Sequence, residues 1–199
     1  MPYFPMYVNI ENKPCLVIGG GKVAYRKAAV LLDFGAAVTI ASKSFCDEIK
    51  MLNADFISGE FDFSLCDDKE LVICATDDRE LNQSVFEYCF ERRIPVNVVD
   101  DAKNSTFIFS SYVKQKNLVA SFSSSGNSPM LTQMLKQNCE LTPFLGELNE
   151  LLGKCRNELN KKSLSQADRK KVYKAVYDLA VKENEIPTIE KVEEIINEL

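Results

Sequence analysis

The hydrophobic pattern splits the chain in two. The first half sets short apolar runs between amphipathic stretches; the second half is dominated by helical stripes. Residues 15–18 (CLVI) form an unbroken apolar run, the pattern of a parallel strand covered on both faces. Residues 22–34 carry Val23, Ala24, Ala28, Leu31, Leu32 and Phe34 at helical spacing, and Gly35 follows as a C′ stop. Residues 36–40 predict a second strand, which completes a β-α-β unit. Further strands are expected at 55–59, 71–75 and 94–99, with a helix at about 79–93 between the last two. The lead-in at 3–10, with prolines at 2 and 5, predicts an edge strand or an extended arm beside the sheet.

After residue 105 the pattern changes. Residues 106–114 and 117–123 are β-branched and aromatic, which predicts two strands turning at Gln115 and Lys116. Ser128 suits an N-cap and Pro129 the first helical position of a segment running to about Cys139. From residue 145 the chain reads as helical. Leu145, Leu148, Leu152, Cys155 and Leu159 make one stripe, and Val172, Val176, Leu179 and Ala180 a second, opened in capping-box style by Ser165 and Asp168. Pro187 and Thr188 break and restart the chain before Ile189, Val192, Ile195, Ile196 and Leu199. The fold class is therefore α/β, an N-terminal parallel sheet followed by a β/α segment and a C-terminal helical domain.

Between the first strand and first helix stand Gly19, Gly20 and Gly21, and Ala24 completes G-x-G-x-x-A. This is the Rossmann dinucleotide fingerprint. Gly19 would make the tight turn, Gly21 would let backbone approach a pyrophosphate, and Ala24 would let helix and strand pack closely. Lys22 and Val23 belong to the same turn. The fingerprint expects an acid at the end of the second strand for a ribose 2′-hydroxyl. Ser42 and Lys43 stand there instead. A small hydroxyl and a lysine tolerate a 2′-phosphate, so NAD and NADP both stay open; Lys43 can equally be a solvated charge.

Ligands of open parallel sheets sit beyond the carboxyl ends of the strands. That places Thr76, after the fourth strand, to face a nicotinamide or its ribose, with Asp78 as the cap of the next helix. Asp100 ends the fifth strand, either as a proton acceptor or as an anchor for the loop that follows. Gly126 and the serines before Ser128 make either an anion-receiving turn or a plain helix cap.

Composition narrows the chemistry. The 199 residues carry net charge −5, which gives no basic character suited to nucleic acid. Histidine is absent, so acid–base work falls to carboxylate, lysine, tyrosine or thiol. Seven cysteines without a C-x-x-C pair predict buried thiols in a reducing compartment and no zinc or other resident metal site. The stretch MPYFPMYVNIENK lacks the basic n-region and long apolar core of a signal peptide and no run reaches membrane length, so a cytoplasmic protein is expected.

Three stretches then carry a family resemblance: YFPMYVNIENKPCLVIGGGKVAYRKAAVLLDFGAAVTI, CATDDRELNQSV and VNVVDDAKNSTFIFSSYVKQKNLVASFSSSGNSPMLTQMLK. Over about residues 1–160 the chain resembles the precorrin-2 dehydrogenases, the sirohydrochlorin synthase family also found as the N-terminal part of multifunctional sirohaem synthases. The resemblance implies NAD-dependent oxidation of precorrin-2 to sirohydrochlorin on the route to sirohaem. It implies a homodimer in which a middle segment crosses between subunits. It divides the chain into a Rossmann domain (1–112), a dimerisation segment (113–144) and a helical domain (145–199), with no methyltransferase domain. The family's key aspartate falls on Asp100 and its loop serine on Ser128, with Ser125 where a second glycine is common. Asn127 and Lys114 join Ser128 as substrate-side candidates. Arg26, Lys27 and Lys136 are further cations for a polycarboxylate. Two alternatives stay open: a bifunctional enzyme that also inserts Fe²⁺ or Co²⁺, and a nucleotide sensor without chemistry.

Overall fold

A computed structural model describes residues 3–197. The chain divides into two compact units, Met1–Phe109 and Ser110–Leu199. The first unit follows β1 (Pro14–Ile18), α1 (Lys22–Asp33), β2 (Ala37–Ser42), α2 (Asp47–Lys50), β3 (Asp55–Ser58), β4 (Leu71–Cys74), α3 (Arg79–Glu91) and β5 (Val96–Val98). The five strands form one sheet in the order β3-β2-β1-β4-β5, parallel throughout.

The unbroken apolar runs have their cause here. On β1, Cys15 and Val17 pack with Ala24, Ala28 and Leu31 of α1, while Leu16 and Ile18 pack with Val85 and Cys89 of α3. Successive strand residues face opposite sides, and both sides are covered. Each fully buried Leu, Ile or Val contributes about 1.5–3 kcal/mol, so β1 at the sheet centre carries a large share of the unit's stability.

One alternative falls away in this unit and one expectation is corrected. Of the edge strand or extended arm expected for the lead-in, the strand does not form. Pro5 offers no N–H to a ladder, Ile10 is buried, and Phe4, Met6 and Tyr7 stand exposed, Phe4 by 87%. A turn at Ile10–Lys13 docks instead, with Asn12 N–H on the Gly35 carbonyl at 2.8 Å. Residues 106–109 are not strand either. Thr106 N–H donates to the Val96 carbonyl at 2.8 Å and its Oγ1 accepts Val96 N–H at 2.8 Å. A side-chain oxygen thus closes the free edge of β5 where a ladder would otherwise continue.

The second unit contains a hairpin of β6 (Ser111–Gln115) and β7 (Leu118–Phe122), then α4 (Pro129–Asn138), α5 (Pro143–Asn160), α6 (Gln166–Glu183) and α7 (Ile189–Asn197). Gln115 pairs with Leu118, so the turn residues are Lys116 and Asn117, one position later than expected; Lys116 takes φ +52°. The hairpin packs on α4 and α5, which a lone two-stranded sheet needs for stability. Leu151, Cys155, Leu159, Val172, Val176, Val192 and Ile196 form the helical core. Leu151 replaces Leu145 and Leu152 on the buried stripe of α5; those two are half-buried. Ser165 caps α6 as read, accepting Asp168 N–H at 3.2 Å, and Thr142, not anticipated from the sequence, caps α5 by accepting Leu145 N–H at 3.3 Å. Leu199 lies outside the described residues.

No helix among the described residues is long and apolar enough to cross a membrane. All seven cysteines are free thiols. Cys15, Cys66, Cys74, Cys89 and Cys155 are buried, and burial pushes the Cys15 thiol up to about 11. An aromatic disulfide reagent at about pH 8 is expected to modify Cys46 and Cys139 first and the other five only after unfolding. Fast reaction at a third site, followed by mass spectrometry, would contradict this packing.

Candidate functional site

The glycine loop forms where β1, β2 and β4 end together. Gly19 N–H donates to the Ala41 carbonyl at 2.9 Å, and Ala75 N–H donates to the Ile18 carbonyl at 2.8 Å. Gly19 has φ +123°, and a Cβ there would collide with the Ala75 carbonyl. Gly20 has an ordinary φ, but its Cβ would collide with the Ser44 carbonyl, and its own carbonyl accepts Cys46 N–H at 2.8 Å. Gly20 thus binds the loop after β2 to the loop after β1, a role that the x of the fingerprint conceals.

Gly21 differs. It is the N-cap of α1, and a Cβ there would meet nothing within 4 Å. The chain's own packing therefore does not demand glycine at 21, and the space above it opens into a cleft. The first turn of α1 contains no acid, and no side chain caps it. Free N–H groups and an uncompensated dipole end therefore face that space, the arrangement that receives a phosphate. Ala24 is fully buried against the sheet and acts by packing, outside the cleft.

The cleft encloses about 830 Å³. Gly19, Gly21, Lys22 and Val23 form one side, Ser42, Lys43 and Glu60 another, and Thr76 a third. Lys22 lies 3.8 Å from Glu48, and Lys43 lies 2.9 Å from Glu60. Ser42 Oγ accepts Ser44 N–H at 3.4 Å. Thr76 lines the cleft, but its hydroxyl proton is engaged: Oγ1 donates to Asn82 Oδ1 at 2.7 Å, while Asn82 Nδ2 donates to the Thr76 carbonyl at 3.0 Å. Toward a ligand Thr76 can offer a lone pair and backbone, not a free O–H. Asp78 is the α3 N-cap, accepting Leu81 N–H at 3.0 Å. Asn82 and Glu60 were not singled out in the sequence. The six-residue spacing from Thr76 to Asn82 was the only trace of the first.

Beyond β5 the two aspartates divide their tasks. Asp101 holds the loop: its carboxylate accepts Lys103 N–H at 3.1 Å, Asn104 N–H at 3.3 Å and Asn104 Nδ2 at 2.9 Å. Ser105 Oγ closes the same turn, accepting Val98 N–H at 2.9 Å and donating to the Asp101 carbonyl at 2.7 Å. Beneath it Asn97, 7% exposed, donates to the Phe107 carbonyl at 3.0 Å. Asp100 sits at the tip, exposed, with φ +60°. A left-handed aspartate costs of order 1 kcal/mol and is held only because the surrounding turn over-determines it. The anchoring role belongs to Asp101, which leaves the Asp100 carboxylate clear of the turn's hydrogen bonds. Lys27 of α1 feels it electrostatically. Burial lowers the Lys27 pKa first and Arg26 adds to that, while Asp100 opposes both. Lys27 Nζ lies 4.0 Å from the centre of the Phe109 ring. Arg26 is exposed on the same helix.

In the second unit, Ser128 Oγ accepts Leu131 N–H at 3.2 Å, and Ser124 Oγ accepts Ser128 N–H at 2.9 Å. Ser128 is thus an N-cap, and Ser124 secures the turn ahead of it. Ser125 takes φ +53° and Gly126 +85°, so the serine occupies a glycine-favouring conformation. Asn127 is exposed, its N–H on the Ser124 carbonyl at 3.1 Å. Lys114 is half-buried on β6 opposite Val119, and Lys136 Nζ lies 5.6 Å from the Tyr112 ring centre.

Residues 6–111 match the family described as "Putative NAD(P)-binding". Among curated proteins, the chain is 36% identical over 179 residues to "Siroheme synthase 2" of Yersinia enterocolitica, covering 87% of this chain and 38% of that one. It is 39% identical over 176 residues to "Siroheme synthase" of Ruthia magnifica, covering 85% and 37%. The chain thus spans less than two-fifths of the length of these relatives. Among solved structures, "SirC, precorrin-2 dehydrogenase" superposes over 98% of both chains with a TM-score of 0.71 at 18% identity, which establishes a shared fold.

The loop geometry makes a paired prediction. Gly20→Ala should destabilise the protein by about 2–3 kcal/mol, because its methyl group meets backbone that cannot yield. Gly21→Ala should cost less than about 1 kcal/mol, an N-cap exchange alone. Denaturant unfolding of the two variants in parallel checks the order; equal losses would refute it.

Proposed function

Because the chain belongs to the NAD(P)-binding family, we propose that it is an NAD-dependent dehydrogenase that oxidises precorrin-2 to sirohydrochlorin in sirohaem synthesis, in the cytoplasm. The observation that carries this reading is the placement of Asp100. A strained, exposed carboxylate stands at the carboxyl edge of the sheet, with its neighbour doing the structural work. The likeness to sirohaem synthases over most of the chain supports the choice of substrate.

The open space at Gly21 and the uncapped start of α1 fit a dinucleotide pyrophosphate. Gly19, Gly21, Lys22 and Val23 would hold it, with Ser42, Lys43 and Thr76 along the cleft and Ala24 keeping α1 close to the sheet. When bound, the nicotinamide supplies a two-electron hydride acceptor. The chain's own part is to take the proton that leaves the macrocycle as the hydride departs. Without histidine, a carboxylate oxygen of Asp100 is the base we assign to that step. Lys27, half-buried beside Phe109 and within the field of Asp100, offers a cation to a substrate carboxylate. Within the second unit, Lys114, Asn127 and Ser128 are the substrate-side candidates the reading retains, Ser128 by setting the start of α4.

The reading includes a homodimer formed through residues 113–144. Met130, Leu131, Met134 and Leu135 form an exposed apolar face on α4, Met130 by 70%, and α4 has no buried residue. A contiguous face of this kind suits a partner surface.

Asp100→Asn should hold the NAD⁺ dissociation constant within about twofold and lower precorrin-2 turnover by roughly 10²–10⁴. Anaerobic absorbance at about 340 nm, the NADH band that reports the hydride transfer, measures it, and wild-type turnover would overturn the assignment. Met134→Glu should shift the protein from dimer to monomer by light scattering with helical content unchanged. An unaltered mass would remove α4 from the interface.

A further inference from the structure

The missing acid after β2 has a substitute that only the fold reveals. β3 runs parallel beside β2 with Ser42 opposite Ser58, and Gly59 N–H donates to the Ser42 carbonyl at 3.2 Å. The chain therefore leaves β3 level with the end of β2. Gly59, at φ +139°, turns it there, and Glu60 follows. Glu60 Oε1 lies 2.9 Å from Lys43 Nζ, and both residues line the cleft that begins at the glycine loop. The pair is open to water, with side-chain exposures of 73% for Lys43 and 85% for Glu60. An ion pair so exposed contributes little to stability, and both side chains remain accessible along the cleft wall that they line.

We propose that Glu60, delivered from the end of β3 and oriented by Lys43, is the group that accepts the adenosine ribose 2′-hydroxyl and turns away a 2′-phosphate. The proposal rests on the dinucleotide-binding reading above and adds the residue that sets the cofactor class. In the fingerprint, the acid at the end of β2 accepts from the ribose hydroxyls. Here the carboxylate reaches the same wall from the neighbouring strand, because the register sets residues 42 and 58 side by side. Lys43 alone would invite a phosphate. With Glu60 at 2.9 Å its charge is already met, and an incoming 2′-phosphate would face a carboxylate. Like-charge juxtaposition is the means by which such a site discriminates. Lys22 opens α1 on the pyrophosphate side of the cleft, and its ion-pair partner Glu48 belongs to α2, so that pair does not replace this contact.

Calorimetric titration of the full chain with NAD⁺ and NADP⁺, at one ionic strength, tests the assignment without any turnover. The wild-type protein should bind NAD⁺ about tenfold or more tighter than NADP⁺. Glu60→Gln should narrow that ratio by about tenfold or more, through weaker NAD⁺ and stronger NADP⁺ binding, since Lys43 is then free to meet the phosphate. Adding Lys43→Met to that variant should remove the gain for NADP⁺. Both residues are on the surface, and unchanged melting temperatures would verify folding. A ratio unaltered in Glu60→Gln, or a wild-type preference for NADP⁺, overturns the proposal while leaving the dinucleotide reading intact. Wild-type protein that binds neither nucleotide overturns that reading and the proposal with it.

Discussion

Two close backbone approaches at the end of β1 carry the rest of the first unit. Gly19 lies against the end of β4 and Gly20 against the loop after β2, each nearer than any side chain permits. Those contacts bring the carboxyl ends of three parallel strands into one rim and aim the start of α1 across it. A cleft at that rim follows from the sheet order, because β1 sits between β2 and β4. The third glycine is the one that the protein's own packing does not require. The contrast between 20 and 21 separates a glycine needed for folding from one that leaves room for a ligand.

The second structural device is the turn after β5. Asn97, Asp101 and Ser105 commit their polar groups to backbone N–H and carbonyl partners, Ser105 meeting Val98 N–H at the end of β5 and Asp101 the N–H groups of the loop that follows. Asp100 is what the turn leaves over. Its left-handed conformation is tolerated because three neighbours hold the loop around it. The same economy operates after β4, where Asp78 caps α3 while Thr76 and Asn82 lock one another. The exposed groups of the rim are thus set apart from those that build it.

The second unit is organised by caps rather than by a sheet. Ser128, Thr142 and Ser165 each start a helix by accepting a backbone N–H, and the apolar faces of α5, α6 and α7 close on one core. α4 stands apart, with its apolar residues outside that core. A helix that contributes nothing to its own unit's core while presenting methionine and leucine is suited to an intermolecular role.

Much of this was legible in the chain itself, because the signals are local. The runs at 15–18 and 71–74, the stop at Gly35 and the caps at Ser128 and Ser165 depend on periodicity and on side chains bonding their own backbone within four residues. The glycine fingerprint is equally local, and it marks the rim at which the cleft opens. What the sequence could not express is everything set by register between strands or by competition between neighbours. Pairing of 42 with 58 brings Glu60 to Lys43 across seventeen positions. The edge of β5 takes a side-chain oxygen from Thr106 where a longer strand was expected, and the hairpin turns at Lys116 and Asn117. Asp100 and Asp101 are the same residue type in adjacent positions. Only the tertiary turn, which needs one carboxylate for its N–H groups and pushes the other to φ +60°, decides which anchors and which is left free.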